Sequence, residues 1–326
     1  MAIALSNFRR IPIKASAAIF ILFSLAACSQ APQQPLRISS SPWPGYEPLY
    51  LARDLDYLPA DKVDLFELPS SDINMESFRN RSTDISTLTL DETIELIHDG
   101  LKLRIILVMD VSNGGDAVLA APDIRSLADI KGKRISIVNI PLGLYMLNRL
   151  LDFAGLKRND VEVFPMPENK QEQFFLQGKA DVVITFEPVK TRLLSHGLHV
   201  IFDSSNIPNE IFDLMVVHED TYKKRKQELC FLTQQWFKTL DYIKWNKADA
   251  AQRITKRLGL QEDQFDNLMA GIHLPDKNQN LKLLGGDSPE LLVPARKLVQ
   301  IMVNERQLSR PIDPSHTLDL EISRCF

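Results

Sequence analysis

Cysteine is scarce: the 326 residues hold three, Cys28, Cys230 and Cys325. None stands in a Cys-x-x-Cys spacing, so no zinc or redox motif is readable. Clustered positive charge is also missing. The formal net charge is −4, and without a basic cluster to neutralise phosphates a nucleic-acid partner is excluded. After residue 27 there is no stretch of roughly eighteen uninterrupted apolar residues, the length a membrane helix needs. Catalytic signatures are lacking too: there is no Gly-x-Ser-x-Gly, no His-Glu-x-x-His and no dinucleotide fingerprint. Ser112–Asp116 is followed by no Gly-Lys-Ser/Thr and is not a phosphate cradle. His196 and His199, three apart beside Gly197, read as solvent-facing or capping residues rather than metal ligands. The expectation is a protein that is not an enzyme and carries no cofactor and no metal.

What is present begins at the N-terminus. Arg9, Arg10 and Lys14 precede an apolar run from Ala15 to Ala27, the layout of a secretory signal. Leu25-Ala26-Ala27-Cys28 resembles the lipobox of a bacterial lipoprotein, which implies a signal peptide over 1–27 and a mature chain lipidated at Cys28. Removing that peptide takes away three basic residues and no acid, so the net charge moves from −4 to −7. Residues 28–35, with two prolines and no apolar periodicity, read as a tether reaching roughly 20 Å. The protein is thus expected on the periplasmic side of the envelope, held to the inner or outer membrane by lipid. Ser29 is not the aspartate that commonly retains lipoproteins in the inner membrane. In an oxidising compartment Cys230 and Cys325 could bond. Sequence does not set their Cα atoms within bridging distance, and two free buried thiols are the preferred reading.

The mature length exceeds one ordinary core and suggests two lobes. From Leu36 short β-rich runs alternate with amphipathic stretches, and the same rhythm restarts at Arg134. Such alternation predicts parallel sheets with crossover helices, hence an α/β protein. Phe78 lies six residues before Asp84-Ile85, and Phe175 lies six before Asp181-Val182. Thr89-Leu90-Asp91 and Thr185-Phe186-Glu187 repeat a Thr-x-acid ending 96 residues apart. Ligands in open α/β sheets sit outside the carboxyl ends of strands, so these loops should line a cleft. The competing role for Asp91 and Glu187 is to cap or charge the helices that follow. After Val217 the pattern turns helical, and Trp236, Phe237, Trp245 and Leu258 read as core. The expected limits are lobe 1 at 36–112 and 216–326, with lobe 2 and the crossing segments at 113–215.

Ser39–Leu58, Asp110–Ala120, Ser126–Arg134 and Gly178–Pro188 together resemble the nitrate, sulfonate, taurine and thiamine-precursor family of periplasmic substrate-binding proteins. The resemblance covers roughly Leu36 to Val217. It implies the two-lobe type II periplasmic binding fold and the solute-binding role of an ABC importer, with a permease and an ATPase as partners. Asp56 stands where that family often has glycine, and Asn80-Arg81-Ser82 replaces its usual glycine turn. A left-handed residue is tolerated by Asp at the first of these.

The ligand site expected on these grounds comprises Ser41, Trp43, Tyr46, Thr89, Asp91, Asp110, Ser112, Asn113, Tyr145 and Glu187. Trp43 and Tyr46 offer flat apolar faces with a polar edge, and Ser112 and Asn113 offer hydroxyl and amide groups. The helix opening at Pro141–Tyr145 could hold an anion by its free N–H groups, as sulfonate-binding relatives would suggest. Against an anion stand Asp91, Glu92, Asp110, Asp116 and Glu187, with only Lys190 basic nearby. The expected ligand is therefore a small organic nitrogen or sulfur compound, of the sulfonate, taurine-like, amine or pyrimidine class, with a neutral or amine-bearing, aromatic or heterocyclic solute preferred. A monomer is expected. The alternative role is a ligand-sensing subunit of a membrane signalling protein, since both roles use the same closure. Cys28→Ala is expected to abolish lipidation and release the protein from membranes; fractionation of cells would detect it, and continued membrane attachment would refute the lipid anchor.

Overall fold

The computed structural model describes residues 34–318 and 320–325, so the signal peptide, Cys28 and most of the tether lie outside the described residues. The strands are β1 (Leu36–Ser40), β2 (Val63–Glu67), β3 (Ile85–Thr89), β4 (Leu103–Ser112), β5 (Asp116–Ala120), β6 (Arg134–Val138), β7 (Glu162–Met166), β8 (Val182–Phe186), β9 (His199–Asp203), β10 (Phe212–His218) and β11 (Ile272–His273). They form a six-stranded sheet, β11-β4-β10-β3-β1-β2, and a five-stranded sheet, β7-β6-β8-β5-β9. Between and around them lie α1 (Glu47–Asp54), α2 (Ser71–Arg79), α3 (Leu90–His98), α4 (Pro141–Ala154), α5 (Glu168–Leu176), α6 (Val189–Ser195), α7 (Glu219–Lys224), α8 (Lys226–Trp245), α9 (Lys247–Leu258), α10 (Phe265–Ala270), α11 (Lys277–Leu284), α12 (Leu292–Asn304) and α13 (Leu320–Ser323). This is the α/β two-lobe periplasmic binding fold.

The two sheets repeat one plan. β1 is paired in parallel with β2 and β3, as β6 is with β7 and β8. Asp84 receives the Arg37 backbone N–H (3.0 Å) and guanidinium (2.8 Å), and Asp181 receives the same two groups of Arg134 at 2.9 and 2.6 Å. Each acid thus ties the start of its strand to the first strand of its lobe, which is why both precede a β-branched run. A buried amide repeats likewise: Asn74 of α2 donates to the Thr87 carbonyl (2.7 Å) and Gln171 of α5 to the Ile184 carbonyl (2.9 Å). Asp56 (φ 57°) and Arg81 (φ 59°) take the left-handed conformation at the two turns where glycine is replaced.

Three expectations need correction. The sheets are mixed, not parallel: β10 runs antiparallel to β3 and β4, and β5 antiparallel to β8 and β9. Each of these strands follows or precedes a passage between the sheets and enters without a crossover helix, so strand-helix alternation does not announce its direction. Trp236 and Phe237 are buried, but Trp245, at the end of α8, is 75% exposed. Cys230 and Cys325 are not free thiols; they form a disulfide with Cα atoms 5.3 Å apart. The pairing follows from the chain end packing α13 against α8, a contact of residues 95 apart in sequence.

Closing so long a loop restricts the unfolded chain. Reduction of the bond, or Cys325→Ser, is expected to cost about 2–4 kcal/mol of stability. Thermal unfolding with and without reductant checks this, and coincident curves would show that the bond contributes nothing.

Candidate ligand-binding cleft

The chain leaves β1 through Ser41 and turns at Pro44–Tyr46, a single 3-10 turn with proline at its start, before α1 begins. That turn presents Trp43 and Tyr46, both buried. The Trp43 Nε1–H donates to Asp110 Oδ2 at 2.9 Å, and the Tyr46 hydroxyl donates to Asp213. Gly45 makes this possible, because a Cβ there would stand 1.7 Å from Asp110 Oδ2 and 2.6 Å from Trp43 Nε1. From the other sheet Phe186, at the end of β8, meets Trp43 edge to face with centroids 5.8 Å apart.

These residues enclose a narrow cavity of about 20 Å³, lined also by Ser41, Ser71, Thr89, Glu92, Asp116, Ile140, Leu142 and Asp213. Its walls stand close, so admitting a solute requires the lobes to part. Thr89 and Glu92 form a capping box at the start of α3: the Glu92 N–H donates to Thr89 Oγ1 (3.4 Å) and the Thr89 N–H to Glu92 Oε2 (2.8 Å). The second Glu92 oxygen, Oε1, is buried without a partner, as is Asp116 Oδ2. At one rim Glu168 of α5 reaches across to accept the Ser71 N–H (2.7 Å) at the start of α2, satisfying an orphan donor of that helix.

No lysine, arginine or histidine lines the cavity. Burial is therefore the main influence on its acids, and it raises them all. Asp116 is pushed up to about 8, with Asp213 adding to the effect of burial. Glu92 lies well above the usual carboxylate range by burial and by the neighbouring Asp91. Asp110 and Asp213 are register partners on adjacent strands; burial lifts Asp110 to about 7 and Asp213 well above its ordinary value, the latter also by the charge of Asp110. Asp91 is raised to about 6 by burial.

Of the residues expected from sequence, Ser41, Trp43, Tyr46 and Thr89 line the cavity. Asp110 lies behind Trp43 and holds its indole. Asp91 is buried in the first turn of α3, off the cavity wall; the cap there is Thr89 with Glu92. Ser112 shares a hydrogen bond with Ser204 Oγ (2.8 Å) and accepts the Asp116 N–H (3.2 Å). Asn113 is exposed, its backbone N–H on the Gly271 carbonyl. Tyr145 is turned away and donates to Glu210, which also binds Arg149 (3.0 Å). Glu187 accepts the Thr191 N–H (3.1 Å) and pairs with Lys190 (3.2 Å), so it serves the entry to α6. At the Pro141 opening, the Gly143 N–H is already spent on the Ile140 carbonyl (3.0 Å). Sequence reading left out Ser71, Glu92, Asp116, Ile140, Leu142, Phe186 and Asp213 as site residues. An acid inside the apolar run Phe212–Val217 is the signal that would have found Asp213, since a buried carboxylate needs a reason.

The family model described as NMT1/THI5 like matches residues 43–246. No curated protein sequence matches. Among solved structures, the chain is similar to the alkanesulfonate-binding protein SsuA of Xanthomonas axonopodis pv. citri bound to MOPS (TM-score 0.73, 15% identity, 87% of this chain and 97% of that one). It is also similar to the periplasmic aliphatic sulphonate binding protein SsuA of Escherichia coli (0.72, 16%, 88% and 97%). The desulfurization enzyme DSZB has the same fold (0.67, 16%, 90% and 98%).

Carboxyls held above their unfolded values contribute stability that is complete below about pH 4 and is lost as pH rises through their folded values. Asp91, Asp110 and Asp116, at about 6, 7 and 8, set that loss between pH 5 and 9. The free protein should thus melt at progressively lower temperature from pH 5 to pH 9, and Asp116→Asn should flatten the upper part of the slope. A melting temperature that is level or rises across this range in the wild type would contradict the buried-acid assignment.

Proposed function

The chain belongs to the NMT1/THI5-like family, and on that premise we propose that it is the solute-binding component of an ABC importer whose solute is a small organic cation bearing N–H donors. One observation carries the charge: Glu92, Asp116 and Asp213 face one cavity with Trp43, Tyr46 and Phe186, and no basic side chain lines it. Burial holds these acids protonated in the free protein, so a cation gains their charge by displacing protons, whereas a buried sulfonate finds no positive charge to compensate its own. A protonated amine or nitrogen heterocycle instead supplies hydrogens to Glu92 Oε1 and Asp116 Oδ2, buried oxygens of the cavity wall left without partners, and its cation lies against aromatic faces. Two of the similar structures are named for sulfonates; the acid-lined wall of this cavity supports a solute of the other charge on a shared fold.

The proposed contacts are Trp43, Tyr46 and Phe186 for the apolar body and Glu92, Asp116 and Asp213 for the charge, with Ser41, Ser71 and Thr89 as polar neighbours. Binding without chemistry is proposed: the lining hydroxyls of Ser41 and Ser71 are bonded to one another, Ser71 also to Glu168, and that of Thr89 to the Glu92 N–H, and among the described residues no histidine or lysine lines the cavity to activate them. A lipid at Cys28 would hold the protein beside its permease.

Calorimetry with ethylamine and with ethanesulfonate tests the sign. The amine is expected to bind and the sulfonate not, and Glu92→Gln or Asp116→Asn should each weaken the amine by about tenfold or more. Binding of the sulfonate, tightened by the same substitutions, would reverse the assignment.

A further inference from the structure

We propose that the solute is an elongated amine, with its cationic head in the inner cavity and a chain of several methylenes running outward in a groove between the lobes. The proposal rests on the cationic-solute reading and adds the shape of the molecule. The groove has a volume of about 300 Å³, within the range of ligand pockets, against about 20 Å³ for the inner cavity, which is too small for a whole solute. Both are built by the same three helices. On α2 the inner wall is Ser71 and the groove wall Met75; on α3 Glu92 gives way to Glu95; and at the start of α4 Leu142 gives way to Leu144, while Ile140 belongs to both. The groove is therefore the outward continuation of the cavity.

Its chemistry suits a hydrocarbon chain. Met75, Ile137, Val138, Leu144 and Pro165 give it apolar walls, and Leu144 is left 39% exposed. Its one cation, Arg79, is engaged with Glu76 (3.4 Å), Glu95 (3.3 Å) and Asp99, so the groove offers no free positive charge to an anionic tail. Asp72, Glu76 and Glu95 at its edge repel one. The head is fixed independently by the unpartnered oxygens of Glu92 and Asp116, which orients the molecule with its charge inward and its chain outward.

Calorimetric titration of the protein with ethylamine and with hexylamine at neutral pH distinguishes the outcomes. Hexylamine is expected to bind at least about tenfold more tightly, since four further methylenes leave water. Leu144→Ser, on a half-exposed face of the groove, should shrink that preference about threefold or more and leave ethylamine affinity within about twofold, which also reports an intact fold. Equal affinities of the two amines for the wild type would overturn the proposal while leaving the cationic reading in place. A preference unchanged by Leu144→Ser would send the chain elsewhere and overturn it as well. If neither amine binds, the cationic reading fails and this proposal falls with it.

Discussion

Asp110 and Asp213 face each other as direct register partners on β4 and β10, both almost wholly buried. Two carboxylates so placed cannot both be ionised at tolerable cost, so one proton between them takes the place a basic side chain would otherwise fill. The arrangement above them depends on this. The Trp43 indole is aimed by its bond to Asp110, and the Tyr46 ring by its bond to Asp213. Gly45 is required because the Asp110 carboxyl lies where any Cβ would go. The edge of Trp43 then sets how near Phe186, and with it the second lobe, can come. An acid pair that holds a proton beneath two aromatic rings is thus the base on which the cleft stands.

Much of the scaffold was legible because it is written twice. Asp84 and Asp181, and the short apolar runs after them, recur at equal spacing because each lobe needs the same tie from its acid to the N-terminal arginine of its first strand. Side-chain alternation and helix periodicity, which depend only on local geometry, therefore located strands β1 to β4 and β6 to β9. β5 and β10 were not read as antiparallel strands, since their direction is set by where the chain passes between lobes and leaves no periodic trace. The Cys230–Cys325 bond is of the same kind: it depends on α13 packing against α8. Trp245 defeats composition-based reasoning for a different reason. Trp236 and Phe237 earlier on α8 are core, but the helix ends at Trp245, and its ring lies beside Lys244 in solvent.

Of the eleven residues that line the cavity, four were among the expected ones. Ser41, Trp43, Tyr46 and Thr89 follow strand ends of the first lobe, where the rule about carboxyl ends of strands points directly. The remainder of the wall is assembled from one-residue contributions of distant segments, Ile140 and Leu142 at a helix start, Phe186 at a strand end, Asp116 and Asp213 in the crossing strands. Acids that looked alike in sequence diverge in space. Glu187 is paired to Lys190 and serves its helix, Asp110 is turned behind Trp43, and the cap of α3, which sequence offered to Asp91, is shared by Thr89 and Glu92, the latter keeping one oxygen for the cavity. The sign of the cavity survived these rearrangements, because exchanging one buried acid for another leaves the balance of charge the same.

That double duty of Glu92 ties stability to binding. A buried oxygen without a partner costs the folded protein its full desolvation, and such oxygens are tolerated where another molecule completes them. Glu92 belongs to a helix packed on the first sheet, while Asp116 opens a strand of the second. A cation that hydrogen-bonds to both relieves a cost on each side of the cleft only when the lobes are together. Its differential affinity for the closed form is then the sum of two interactions lost on opening, so occupancy and closure become a single equilibrium. The Ser71–Glu168 contact across the rim adds to the closed form whether or not a solute is present. Control by the solute therefore resides in the acids at the centre of the cleft, where their unmet hydrogen bonds hold the balance near enough to be moved.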